Sequence, residues 1–376
     1  MTAFKKTYPN LFARIGRRED EIDARLSEAF HAIFEDERER FYFESGPDMG
    51  YMLDTGNNDA RTEGMSYGMM MAVQTDRKDI FDRLWRFSCA HMLLRDGPNR
   101  GYFAWSVRPD GVHNAEGPAP DGEEYFAMAL LFASARWGDG EPPLDYSVQA
   151  RAILRHCVRQ PELAEGGRAM WDPDNRLIRF VPEADFSDPS YHLPHFYALF
   201  AGACDPGDAG FWREAAAASR RYLAKACHPV TGLAAEYAEY DGATRLMFRK
   251  GMAFFSDAYR VAMNIGLDAC WFGPKAPLSK AAGNLQKTLR EHPELWADHS
   301  CMLDASPCDE PVMHPLGLMA TTAAGSLAAR SELRWEWVRR LWEAKPRAGA
   351  RRYYDNCLYF FSLLMVSGRY VNWLEA

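Results

Sequence analysis

The chain has 376 residues, 47% hydrophobic and 13% aromatic, with a formal net charge of −8. Such a length suggests more than one domain, and such apolar content suffices for a large core. Mild acidity without a basic block argues against nucleic acid and anionic membranes as partners, and no apolar run approaches the roughly 18 residues that span a bilayer.

In chain order, Met1 to Pro9 carry two lysines but no apolar core of a secretory signal, so the expected compartment is the cytoplasm. Helix-like periodicity then predicts helices over 19–36, 61–75, 79–94, 122–137, 145–157, 191–203, 208–227, 253–272, 277–292, 315–329, 332–343 and 354–367. No alternation is long enough to build a sheet. The connections after the even-numbered helices are short. Those after the odd-numbered ones are mostly long and rich in Gly, Pro, Asp and aromatics. This pattern makes six helical hairpins. If they circle back, the odd and even helices form two concentric rings, an all-α (α/α)6 barrel. It would be one catalytic domain over 1–376, because the ring closes only with all six hairpins. The long loops then gather at one end, leading into the even helices, and loops of that length are usually functional.

The second predicted helix opens with Glu63 among Met65, Met69, Met70, Ala72 and Val73, and Tyr67 lies one turn on. A carboxyl in apolar surroundings should have a raised pKa, which suits a proton donor; a first-turn Glu that complements the helix dipole is the alternative. In the loop after the third helix, Trp105 has no helical period to bury it, and reads equally as a stacking platform for a sugar or as a loop anchor. That loop ends at Asp121, which with Glu124 resembles a capping box yet also faces the predicted rim; Glu123 and Glu124 read as first-turn structural residues. Asp188-Pro189 marks a helix start, with Tyr191 and His195 one turn apart. His192 and His195 lack a third ligand nearby, so no metal and no cofactor are expected. In the eighth helix, Asp257 and Arg260 sit three apart among Phe254, Phe255, Val261 and Ile265, so pairing would keep Asp257 ionised, as a general base requires. Two carboxyls whose settings push their pKa values apart are the mark of an acid/base pair, and rim aromatics without a phosphate motif point to glycoside hydrolysis.

These residues also carry a resemblance. Arg61-Thr62-Glu63-Gly64-Met65-Ser66-Tyr67-Gly68 is similar to the signature of glycoside hydrolase family 8. The blocks 53–57, 101–105, 118–126, 187–197, 256–260 and 352–359 resemble the members of that family that release xylose from the reducing end of short oligosaccharides. The resemblance runs from about Tyr8 to the C-terminus. It implies the (α/α)6 barrel, inversion at the anomeric carbon, Glu63 as general acid and Asp257 as general base. It further implies that Tyr191 helps hold the attacking water, that Asp121 contacts the sugar in the cleaved subsite, and that His314, in Pro311-Val312-Met313-His314-Pro315, closes the reducing-end side of the cleft. Relatives often have Leu where Met313 stands. The stretches 241–252 and 284–309 resemble the family least, so end-subsite preferences are the least constrained.

The expected partner is thus a β-1,4-xylooligosaccharide, met by a monomer inside the cell. The rival readings are an endo-acting xylanase, glucanase or chitosanase of the same family, a sugar epimerase using His192 and His195, and an inert sugar-binding protein. The eight cysteines sit mostly singly in apolar helical text without a C-x-x-C pair, and read as reduced, buried thiols; a Cys301–Cys308 bridge is the minor alternative.

Overall fold

The computed structural model describes residues 8–247 and 253–375. The first seven residues, on which much of the signal-peptide reading rests, and 248–252 of the divergent loop lie outside them. Twelve helices of ten residues or more occur among the described residues: α1 (Glu19–Phe34), α2 (Thr62–Gln74), α3 (Lys78–His91), α4 (Pro120–Trp137), α5 (Tyr146–Leu163), α6 (Pro194–Ala203), α7 (Ala209–Ala226), α8 (Arg260–Phe272), α9 (Ala276–Glu291), α10 (Pro315–Ala324), α11 (Arg334–Glu343) and α12 (Arg352–Val366). They are the twelve expected from periodicity.

The even helices are apolar almost all round, which demands an interior position. Every residue of α2 except Glu63 is buried, and every residue of α12 except Arg352. The odd helices bury one stripe; in α9 it is Leu278, Ala281, Ala282, Leu285 and Leu289, at helical spacing. Each even helix packs on the next, and α12 closes back onto α2. Behind them α3 backs α2, α5 backs α4, α7 backs α6, α9 backs α8, α11 backs α10, and α1 backs α12. This is the (α/α)6 barrel. Two glycines set the closeness of the inner ring: a Cβ on Gly122 of α4 would lie 2.4 Å from Thr62 of α2, and one on Gly266 of α8 would lie 2.4 Å from the Ala324 carbonyl of α10.

Among the described residues, strands occur as three two-stranded ribbons: β1 (Tyr42–Ser45) with β2 (Met49–Met52), β3 (Ala60–Arg61) with β4 (Ser106–Val107), and β5 (His299–Cys301) with β6 (Pro307–Pro311). The second ribbon ties the loop entering α2 to the loop entering α4, and the Thr62 N–H donates to the Trp105 carbonyl at 3.0 Å.

Three of the helix starts that differ from expectation set the positions of candidate site residues. Helix α4 begins at Pro120, with Ala119 as its N-cap, so Asp121 lies inside the first turn and makes no cap. The capping box is therefore absent: Pro120 is pre-set for the first helical position and moves the start upstream. Helix α6 begins at Pro194 and not near residue 191. Leu193 before that proline is not helical (φ −114°, ψ 67°), and Asp188 instead caps a single 3-10 turn, Pro189–Tyr191, accepting from the Ser190 N–H at 2.7 Å. Helix α8 begins at Arg260, so Asp257 sits in a separate 3-10 turn, Ser256–Tyr259.

Candidate active site

Glu63 occupies the first turn of α2 because Arg61 leaves β3 extended and the helix begins at Thr62. Its Oε1 faces the Tyr353 hydroxyl at 3.0 Å and its Oε2 accepts from Arg260 Nη1 at 3.1 Å. A guanidinium only donates, so a proton on this carboxyl belongs on Oε1. Burial pushes the Glu63 pKa up to about 8; Arg260 opposes the rise, and the charges of Asp121 and Asp257 add to it. Burial penalises the charged form, and the acids add to that cost: Glu63, Asp121 and Asp257 share one buried cation, so ionising all three would leave charge poorly compensated.

Arg260 is that cation. It is 2% exposed. Its Nη1 also meets Asp121 Oδ2 at 2.9 Å and the Tyr67 hydroxyl at 2.8 Å, and its guanidinium lies 5.4 Å from the centre of the Tyr191 ring. Glu63 and Tyr67, one turn apart on α2, share this partner. Asp121, freed from capping, points into the site; burial raises its pKa against the pull of Arg260.

Asp257 is held more loosely. Its Oδ1 lies 3.5 Å from Arg260 Nη2 and 3.4 Å from the Tyr354 hydroxyl, and 27% of its side chain is exposed. The expected ion pair with Arg260 exists, but Arg260 leans harder on Glu63 and Asp121. Ser256, just before Asp257, has φ +23°. Such strain in a non-glycine residue gathers at functional sites, where surrounding structure enforces it. Here the enforcement comes from Phe254, whose N–H donates to the Cys301 carbonyl of β5 at 3.0 Å, and from α8 beginning directly after the turn.

Two hollows of about 400 Å3 each meet at these carboxyls, sharing Arg61, Glu63, Tyr237 and Asp257. The first is aromatic, adding Trp105, Asp121, Phe180 and Tyr191. Trp105 is 37% exposed, and Arg61 covers one of its faces, its guanidinium 5.3 Å from the ring centre. Arg61 is itself fixed by Asp59 at 3.1 Å and Asp54 at 3.3 Å. Tyr191 stacks at 29° on Phe180. The second hollow is more polar, adding Asp54, Asn57, Met313, His314, Arg351, Tyr353 and Tyr354. His314 directs Nδ1 at Asp355 Oδ2, 3.2 Å away, and packs edge-on against Tyr354. Asp355 is fully buried and also accepts from the Gly317 N–H at 2.7 Å, so the ring has a fixed second partner. A third hollow of similar size, lined by Glu35, Arg40, Tyr42 and Arg77, lies away from these carboxyls.

Glu63, Trp105, Asp121, Tyr191, Asp257 and His314 therefore border one cleft, and Arg260 lies buried behind it against three of them. Tyr353, Tyr354, Tyr237, Phe180 and Arg61 border it too but were not singled out as site residues. Tyr354 stood in the sequence as the first residue of an apolar helix and Tyr353 just before it, and nothing in the spacing distinguished core tyrosines from cleft tyrosines. His192 and His195 are not in the cleft. His192 is held between the hydroxyls of Ser187 and Ser219, both at 2.9 Å, and burial lowers its pKa to about 3. His195 is fully buried against Trp271, because the break before Pro194 separates its direction from that of Tyr191. Among the described residues no three metal-ligating side chains gather. None of the eight cysteines is in a disulfide, Cys301 and Cys308 included.

Residues 35–368 match the model of Glycosyl hydrolases family 8. The chain is 53% identical over 367 residues to a reducing-end xylose-releasing exo-oligoxylanase of Paenibacillus barcinonensis, covering 97% of this chain and 96% of that protein. It is 51% identical over 370 residues to the enzyme of the same name from Bifidobacterium adolescentis, covering 96% of each. The solved structure of the Paenibacillus barcinonensis protein complexed with xylose superimposes with a TM-score of 0.94 at 52% identity, covering 98% of both chains.

Proposed function

The chain belongs to Glycosyl hydrolases family 8, and from that premise we propose that it is an inverting hydrolase releasing xylose from the reducing end of short β-1,4-xylooligosaccharides. Relatives of that activity match almost the whole chain at about half identity. The observation that carries the mechanism is a carboxyl with its pKa pushed up to about 8, facing a second carboxylate at the junction of two hollows.

In this reading Glu63 protonates the glycosidic oxygen from Oε1 while Asp257 takes a proton from a water on the opposite face of the sugar. Inversion needs carboxyl groups roughly 6.5–9.5 Å apart to admit that water. The Arg260 fork bridges the pair, reaching Glu63 with Nη1 and Asp257 with Nη2. Tyr191 helps hold the water. Asp121, bound to Arg260, contacts the sugar before the cleaved bond. Trp105 offers the face not covered by Arg61 to a sugar further along the aromatic hollow. The polar hollow takes the departing xylose, and His314 limits it to one sugar unit. Arg260 offsets the charge left on Glu63 after proton transfer. The barrel acts as one catalytic domain and as a monomer in the cytoplasm, a compartment that suits eight cysteines outside any disulfide.

The test is a product time course on xylotriose and on its reduced alditol. Stepwise xylose release from the first and near inertness toward the second are expected. Internal cleavage of end-labelled xylotetraose would instead assign endo action. Glu63→Ala and Asp257→Ala should each lower kcat by about 100-fold or more while the far-UV circular dichroism stays unchanged. Near-normal turnover in either variant would remove that residue from its role.

A further inference from the structure

Beneath the cleft lies a hydrogen-bonded group that none of the roles above uses. Glu124 is 1% exposed, one turn into α4 and three residues past Asp121. Its Oε2 lies 2.9 Å from the hydroxyl of Tyr197 on α6, and that hydroxyl also lies 2.7 Å from the backbone carbonyl of Tyr191. Glu124 Oε1 is buried with no hydrogen-bond partner.

The protons can be assigned. A phenol has one hydrogen, and a carbonyl oxygen only accepts. At 2.7 Å the Tyr197 hydroxyl must donate to Tyr191, since two oxygens that close without a proton between them repel. The contact with Glu124 then requires its hydrogen to come from Glu124. An ionised Glu124 would place two acceptors on one phenolic proton and leave a charge with an unpartnered oxygen in a dry interior, which is costly. The surroundings agree: burial raises this carboxyl well above the usual range, with Tyr197 opposing, Asp121 and Asp188 adding, and Arg260 opposing.

We propose that Glu124 is a positioning residue that works as an un-ionised acid: it donates to Tyr197, which clamps the Tyr191 carbonyl and fixes the 3-10 turn presenting the Tyr191 ring to the cleft. The clamp is needed because Pro194 interrupts the helix after that turn, so the Tyr191 carbonyl has no intrahelical donor to hold it. The relay ties α4, which carries Asp121, to the turn that carries Tyr191. The group that contacts the sugar and the group that holds the attacking water therefore keep a fixed separation.

The inference rests on the proposed role of Tyr191, and the experiment separates the two. Tyr191→Phe tests the role itself: unchanged kcat would overturn it. Given an impaired Tyr191→Phe, Glu124→Leu and Tyr197→Phe should each lower kcat on xylotriose by about 10- to 100-fold, with KM changed less. Their double variant should be no worse than the poorer single one, and Glu124→Gln, which keeps an N–H donor, should recover most of the loss. Wild type minus Glu124→Gln in the infrared at neutral pH should show the carbonyl stretch of an un-ionised carboxyl. Full activity in Glu124→Leu, additive losses in the double variant, or a carboxylate stretch in that difference spectrum would each overturn the relay.

Discussion

Glu63 shows how a reactive residue is set by its surroundings at a cost in stability. Its carboxyl moves from 4.5 to about 8 on folding, with burial as the first cause. Between those values the folded chain holds a proton that the unfolded chain has released. A group with a raised folded pKa contributes stability below its unfolded value and loses it as pH rises through the folded one. Glu63→Gln removes that dependence. Its melting temperature should match wild type near pH 4 and exceed it by a widening margin up to about pH 8, as thermal scans would show. A constant margin would mean that the carboxyl is not held in the acid form. With Glu63 as the proposed general acid, the same shift predicts that kcat/KM of the wild type falls above about pH 8, as that carboxyl loses its proton.

At the scale of the element, the barrel depends on helices meeting with almost nothing between them. A Cβ at Gly122 would lie 2.4 Å from Thr62, the residue beside Glu63, and 3.2 Å from its backbone carbonyl carbon. Gly122→Ala should therefore force α4 from α2, cost about 1–3 kcal/mol in denaturant unfolding and pull Asp121 away from Arg260, lowering kcat as well. Gly283, in the outer helix α9, has nothing within 4 Å of an added Cβ. Gly283→Ala should raise stability by about 0.5–1 kcal/mol through helix propensity alone and leave kcat unchanged. Equal effects of the two substitutions would contradict the inner and outer division.

At the scale of the whole molecule, the site exists only when the ring is closed. Glu63 comes from α2, Asp121 from α4, Tyr191 from the turn before α6, Asp257 and Arg260 from the entry to α8, His314 from the entry to α10, and Tyr353 and Tyr354 from α12. Helix α12 also completes the ring by packing on α2, with its residues after Arg352 buried. A chain ending before Arg352 should thus lose its cooperative thermal transition, and not merely its activity. A truncated chain that melts cooperatively would show that five hairpins suffice and that closure is a functional device alone.

By itself the sequence determined the number, order and approximate extent of the helices, because periodicity and loop length are local properties. It determined as well that Glu63 would sit at a helix start in apolar surroundings, and that Asp257 would lie within reach of Arg260. The tertiary structure decided what chain-local reasoning cannot see. Asp121 gave up the cap for Arg260 because a proline started the helix earlier and an arginine far along the chain lay opposite. Tyr191 and His195 faced different ways because a proline broke the helix that would have joined them. Tyr353 entered the site because closing the ring brought the last helix against the second. Burial, shared partners and pKa arise between segments remote in sequence, so they appear only once the six hairpins meet.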